Sequence, residues 1–196
     1  MIRDLTGDNP QKRGEQLNVI ISEADRLTAL VSVLIRISQD EREERVYQAE
    51  PFDLEEMIRE VVRRFAQTNP DYQITCTIEG TPVVLADRES IGQVLYNLIS
   101  NAIKYTEQGK ITLSLYPTTR NGVTYTEIKV SDTGYGISAE ALPHVFDRYY
   151  QESGKHQASG TGIGLALVRN LVELHEGEIR VESIQNEGST FYISLL

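Results

Sequence analysis

The sequence holds a single cysteine, no tryptophan and only six prolines in 196 residues. One cysteine excludes an internal disulfide and any multi-cysteine zinc site. Positive charge is also scarce: 19 Lys and Arg face 29 Asp and Glu, a net charge of −10. A chain that acidic is poorly suited to neutralising a nucleic-acid backbone, so no nucleic-acid partner is expected. Any anionic ligand has to be held locally, by backbone amides and a few placed cations. No apolar run approaches the roughly 18 residues of a membrane-spanning helix, and Met1-Ile2-Arg3-Asp4-Leu5 opens no signal peptide. These absences describe a soluble and, most simply, intracellular chain. Its length suits one domain with a helical appendage, able to bury roughly 70 % of the unfolded surface without metal or disulfide staples.

What is present divides near residue 50. From about Gln16 to Ser38 the apolar residues follow a heptad, with Leu17, Ala24 and Val31 in one position and Ile20, Leu27 and Leu34 in the other. Such a helix needs a partner: it belongs either to a helical bundle or, as an amphipathic helix, on the domain that follows. Pro51 marks the boundary. Beyond it, Asp53 can cap a helix to about Gln67, residues 72–78 alternate as a strand that buries Cys76, and residues 83–86 form a short strand. Asp87 caps a long helix to about Tyr105. Residues 110–116 and 125–131 alternate around Arg120-Asn121-Gly122 as a hairpin, a helix runs from about Ile163 to His175, and residues 178–183 and 190–195 form a second hairpin. The expected fold class is α+β, a two-layer α/β sandwich with helices on one face of a sheet.

Four clusters carry possible chemistry. Asn97, Asn101, Lys104 and Tyr105 fall at i, i+4, i+7 and i+8, so they share one helix face. That face is either merely solvated or a phosphate groove. A carboxamide oxygen can ligate Mg²⁺ without adding negative charge beside a triphosphate, and a lysine supplies a point charge to phosphate. Asp132-Thr133-Gly134-Tyr135-Gly136 ends a strand. It reads as an ordinary turn, or as a site where two glycines admit a flat ligand and Asp132 accepts from an exocyclic amine. Phe146-Asp147-Arg148-Tyr149-Tyr150 forms a third cluster. The fourth, Gly160-Thr161-Gly162-Ile163-Gly164-Leu165, leads straight into a helix, where free amides and the positive helix end make an anion site. Residues 151–158 between them are polar and aperiodic, as a lid would be. No Gly-Lys-Ser/Thr follows these glycines and no strand directly precedes them, which excludes a Walker loop and a Rossmann turn.

In this order and spacing, the four clusters resemble the catalytic domain of sensor histidine kinases, a family of Bergerat-fold ATPases. The resemblance covers about residues 51–196, and the heptad segment resembles the second helix of that family's dimerisation and phosphoacceptor domain. The chain then divides at 1–50 and 51–196. The resemblance implies ATP and Mg²⁺ as ligands, with Asn101 on the metal, Asn97 beside it and Lys104 on phosphate. It further implies that Tyr105 and Ile137 line the site and Asp132 reads the adenine amine. Gly134 and Gly136 would shape the pocket, Thr190 would lie near adenine, and Gly160, Thr161, Gly162, Ile163, Gly164 and Leu165 would supply the lid hinge and phosphate amides. Arg148 would face phosphate and the acceptor helix.

As partners the resemblance implies a phosphoacceptor histidine helix, a response regulator receiver domain and a homodimer of the full-length protein. It also implies a cytoplasmic location and leaves room for a membrane anchor in the parent protein. One departure stands out. None of the three histidines, His144, His156 and His175, lies on the heptad segment, and each reads as a surface or helix-end residue rather than a phosphoacceptor. The chain is therefore expected to bind ATP without phosphorylating itself. Two alternatives stay open: a non-catalytic nucleotide-binding regulatory module, and a serine-directed relative of the same fold.

Overall fold

The computed structural model describes residues 48–80, 83–152 and 161–196. The heptad segment, most of the expected lid and Gly160 lie outside the described residues. The chain enters through β1 (Glu50–Asp53), followed by α1 (Leu54–Thr68), β2 (Gln73–Ile78) and β3 (Val83–Ala86). Then come α2 (Arg88–Lys104), the long pair β4 (Lys110–Arg120) and β5 (Val123–Asp132), α3 (Gly164–Leu174), β6 (Glu178–Ile184) and β7 (Gly188–Leu195). Five strands form one sheet in the order β2-β4-β5-β7-β6, antiparallel except for the parallel β2–β4 pair. β1 and β3 make a separate two-stranded ribbon. Among the described residues no helix is long and apolar enough to cross a membrane.

Local chemistry explains the boundaries. Asp53 accepts hydrogen bonds from the N–H groups of Glu55 and Glu56 at 2.8 and 3.3 Å, satisfying donors that the first turn of α1 leaves open. Asp87 does the same for α2 through Ser90 N–H at 2.8 Å. Asn121 and Gly122, with φ of 52° and 79°, turn the chain between β4 and β5. One sheet face is apolar: Ile111, Leu113, Leu115, Ile128, Val130 and Ile193 are essentially inaccessible. They are matched by Leu54, Ile58, Ile91, Leu95, Leu98, Ile99 and Leu171 in the helix layer. Each such side chain contributes about 1.5–3 kcal/mol of burial, which fixes the helices on that face.

The opposite face is polar and carries one buried acid. Glu127 accepts from Tyr116 Oη at 2.7 Å and Ser194 Oγ at 3.2 Å, and pairs with Arg120 and Arg180.

The two-layer α+β architecture is the one the alternation implied. Three details differ. Pro51, at the expected boundary, lies within β1, which begins one residue before it and is a ribbon strand paired on one side only. Cys76 is half-buried, because β2 is an edge strand. His175 caps the C-terminal end of α3, as a helix-end residue should, but it is buried. Its Nε2 accepts from Asp87 N–H at 3.0 Å and its Nδ1 bonds Leu171 O at 2.6 Å.

Candidate nucleotide site

Three loops converge where β5 ends. Asp132 is mostly buried, and its Oδ1 accepts from Gly134 N–H at 2.9 Å and Ser189 N–H at 3.3 Å. Among the described residues no bond takes up Oδ2, which is left for an outside donor. Burial pushes the Asp132 carboxyl above its ordinary range, while the two backbone N–H bonds pull it back. The carboxylate is therefore held in one orientation in a partly dry setting, where one well-aimed donor counts for more than it would in water. Thr190 stands opposite Ser131 in the β5–β7 ladder, the two hydroxyls 2.9 Å apart, one residue from Asp132.

The loop after Asp132 is pressed between two elements. A Cβ on Gly134 would lie 2.2 Å from the Tyr105 carbonyl oxygen, so only glycine lets this loop meet the end of α2. Tyr135 N–H donates to the same carbonyl at 3.0 Å. On the other side a Cβ on Gly136 would meet the Ile184 carbonyl, and Ile137 N–H donates to Ser183 Oγ at 2.8 Å. Of the adenine-reading candidates, Gly134 touches Tyr105 directly and Asp132 reaches it through Gly134. Gly136 and Ile137 meet the end of β6 instead, and Thr190 pairs with Ser131 on the face of the ladder opposite Asp132.

The Asn/Lys face of α2 is half-buried. Asn97 Nδ2 donates to Gln93 O at 2.8 Å, which turns Oδ1 toward the first residue of α3: a Cβ on Gly164 would lie 3.1 Å from it. Asn97 is therefore tied to the entry of the glycine-rich helix. One helical turn on, no hydrogen bond among the described residues takes up the Asn101 carboxamide, and no carboxylate among them pairs with Lys104. The Lys104 ammonium lies 4.9 Å from the centre of the Tyr105 ring. A carboxamide and a cation, one turn apart and neither hydrogen-bonded nor ion-paired among the described residues, fit a phosphate-bound divalent cation and its phosphate.

Gly162 has φ of 67°, and a Cβ there would lie 2.6 Å from the Tyr149 carbonyl carbon. Tyr149 N–H donates to Gly162 O at 2.8 Å, so the aromatic segment is fastened to the glycine motif. Ile163 is buried and caps α3, which leaves only its backbone for a ligand. Arg148 is exposed and forms no ion pair among the described residues. Thr161 and Leu165 are half-buried at the same helix entry. A cavity of about 480 Å³ opens elsewhere, beside Met57, Val61, Arg64, Asp87 and Gly92, and contains none of these residues.

Of residues 183, 188 and 189, which hold Asp132 and Ile137 in place, Ser183 lies in no motif, while Gly188 and Ser189 directly precede Thr190, for which alone the resemblance implied a role. The signal for two of them was alternation: Ser183 and Ser189 occupy strand positions whose neighbours on the same face are Val181 and Phe191.

A sheet with helices on one face, a locked carboxylate at a strand end and a glycine-shaped helix entry define a nucleotide-binding α/β domain. Residues 86–196 match the histidine kinase-, DNA gyrase B- and HSP90-like ATPase family, and the chain belongs to it. Within that family it is a catalytic ATP-binding domain of the sensor histidine kinase type. Sensor protein RprX of Bacteroides fragilis is 34% identical over 201 residues, covering 100% of this chain and 38% of that protein. Autoinducer 2 sensor kinase/phosphatase LuxQ of Vibrio harveyi is 31% identical over 205 residues, covering 100% and 23%. Among solved structures, the Acinetobacter baumannii histidine kinase AdeS superposes with a TM-score of 0.70 at 26% identity, covering 91% of this chain and 82% of that one. The mycobacterial sensor histidine kinase MprB gives 0.65 at 27%, covering 75% and 96%. The chain spans well under half the length of these curated relatives.

Proposed function

We propose that this domain binds Mg-ATP and donates its γ-phosphoryl group to a histidine other than the three in this chain. The observation that carries the reading is the Asp132 carboxylate, fixed through one oxygen and open at the other, linked by Gly134 to the end of the helix that bears Asn101 and Lys104. In this reading Asp132 accepts from the adenine amine, with Tyr105, Gly136, Ile137 and Thr190 around the base. Lys104 holds phosphate and the amides from Gly160 to Leu165 close on the phosphate chain. Arg148 faces the phosphates and the acceptor. Asn101 would hold Mg²⁺, which supplies charge neutralisation between phosphates when bound.

Asn97 cannot take a proton from water at neutral pH, which favours transfer to a protein nucleophile over hydrolysis. His175 is buried with both ring nitrogens engaged, and His144 forms a pair with Asp147 at 2.9 Å. His175 therefore has no free ring nitrogen to attack with, whereas His144 is exposed and bonded only through Nδ1 among the described residues, so its replacement belongs in the test. We assign residues 1–50 to part of a dimerisation and phosphoacceptor domain and 51–196 to the ATP-binding domain. The parent is read as a homodimeric cytoplasmic kinase domain whose phosphohistidine serves a response regulator receiver domain.

The test is incubation with γ-labelled ATP, with and without an acceptor helix bearing a histidine. The fragment alone should bind ATP and take up no acid-labile phosphate. Supplying the helix should produce label, and Asn101→Ala should abolish it. Robust labelling of the fragment alone, surviving replacement of His144, His156 and His175, would overturn the reading. Binding with no transfer to any acceptor would instead favour a nucleotide-binding regulatory module.

A further inference from the structure

The β6–β7 hairpin reaches Asp132 and Ile137 through its Ser183–Ser189 pair. Ser183 Oγ stands at the centre of three bonds: it donates to Gly188 O at 2.8 Å, accepts from Ile137 N–H at 2.8 Å, and lies 3.0 Å from Ser189 Oγ. A serine hydroxyl has one proton and two lone pairs. Its proton is committed to the Gly188 carbonyl, so the Ser189 hydroxyl must be the donor in their pair. The hydroxyl is then saturated.

The peptide that accepts this proton is the one that holds Asp132. Gly188 C=O and Ser189 N–H belong to a single planar unit and point in opposite directions. One side takes the Ser183 proton and the other donates to Asp132 Oδ1 at 3.3 Å. The unit is set close against β5: a Cβ on Gly188 would lie 2.1 Å from the Asp132 carbonyl oxygen. Ser183 therefore restrains both ends of the 132–137 loop, Asp132 through the 188–189 peptide and Ile137 directly. Bonds in such a chain polarise one another, so loss of the first weakens the last.

We infer that Ser183 is a positioning residue for adenine recognition: it sets the orientation in which Asp132 presents its free oxygen, without itself touching nucleotide. This rests on the reading of Asp132 as the acceptor for the adenine amine. The protein would bind ATP in preference to purine riboside triphosphate, which lacks only that amine, and Ser183 would be required for the preference.

The experiment measures the affinity of both nucleotides, in Mg²⁺, for wild type, Ser183→Ala, Ser183→Cys and Ser183→Thr, together with the melting temperature of each unliganded protein. Ser183→Ala should weaken ATP roughly fivefold to tenfold, the loss expected when one hydrogen bond becomes misaligned. It should leave the affinity for purine riboside triphosphate nearly unchanged, so that the preference collapses. Ser183→Thr, which keeps the hydroxyl, should restore it. Ser183→Cys, close in volume but a weak donor, should fall between and provides the comparison if the alanine variant does not fold. A wild-type preference retained by folded Ser183→Ala or Ser183→Cys would overturn the inference, as would equal weakening of both nucleotides, which marks a merely structural role. Absence of the preference in the wild type would remove the Asp132 reading itself, and the inference with it.

Discussion

Replacing Asp132 by asparagine tests the base-reading role more sharply than truncation would. Both backbone donors, from Gly134 at 2.9 Å and Ser189 at 3.3 Å, converge on Oδ1. An asparagine retains those bonds only with its carbonyl oxygen on that side, which puts its NH₂ where Oδ2 stood. Donor then faces donor at the adenine amine. The charge-assisted bond lost is about 1.5–3 kcal/mol, or roughly tenfold to 150-fold in ATP affinity. Inosine triphosphate, which carries an acceptor oxygen at that position, should bind the variant better than it binds the wild type.

The unliganded protein should not suffer. Burial raises the Asp132 pKa, so the fold disfavours its ionised form. For an acid shifted upward, the stabilisation is complete below the unfolded pKa and is lost as pH rises through the folded one. A neutral asparagine removes that loss, and the melting temperature at neutral pH should equal or exceed that of the wild type. By the same shift, wild-type ATP affinity should fall as Asp132 protonates at a pH above the ordinary carboxylate range, a component the variant lacks. Calorimetric titration with both nucleotides and melts of the unliganded proteins decide the matter. Wild-type ATP affinity in a folded Asp132→Asn protein would refute the reasoning.

Two further outcomes follow from the geometry. Tyr116 is pushed up to about 12, first by burial and then by its bond to Glu127. Its contribution is intact below about pH 10 and lost as pH rises through about 12, so Tyr116→Phe should flatten the fall in stability across that alkaline window in denaturation curves. At Gly164 a Cβ meets only the Asn97 carboxamide, at 3.1 Å. Gly164→Ala, at the first residue of α3, should therefore change the melting temperature little, the Asn97 carboxamide alone having to give way. Displacing Asn97 should nonetheless weaken ATP in the same titration, and equal ATP binding would exclude Asn97 from the phosphate groove.

The elements were legible because periodicity, caps and turns agreed with one another. Asp53 and Asp87 precede helical patterns and do cap α1 and α2, and Asn121-Gly122 does turn β4 into β5. β1 went unseen: a four-residue strand containing a proline has neither length nor alternation to show, and it forms only because β3 lies beside it. The parallel pairing of β2 with β4 depends on a distant partner and leaves no local trace. Candidate residues with distinctive chemistry, Asn101, Lys104 and Asp132, could be proposed from their order along the chain. Ser183 and Ser189 could not, since a lone serine in a strand is unremarkable until its register is known. Set on the inward face beside Val181 and Phe191, with Asp132 at the end of the row of Ile128 and Val130, they form a polar corner in an otherwise apolar layer.

The parallel edge has a consequence for the order of assembly. β2 and β4 cannot zip together from a turn; they meet only once the intervening stretch, residues 79–109, has folded back on itself. That stretch contains β3 and the whole of α2, the helix that carries Asn97, Asn101 and Lys104. Closing it as loose chain would forfeit entropy with nothing yet gained, whereas closing it as a packed helix shortens the search. This helix is thus expected to consolidate before or together with the sheet's edge. Hydrogen exchange should then find α2 protected at least as early in refolding as β2.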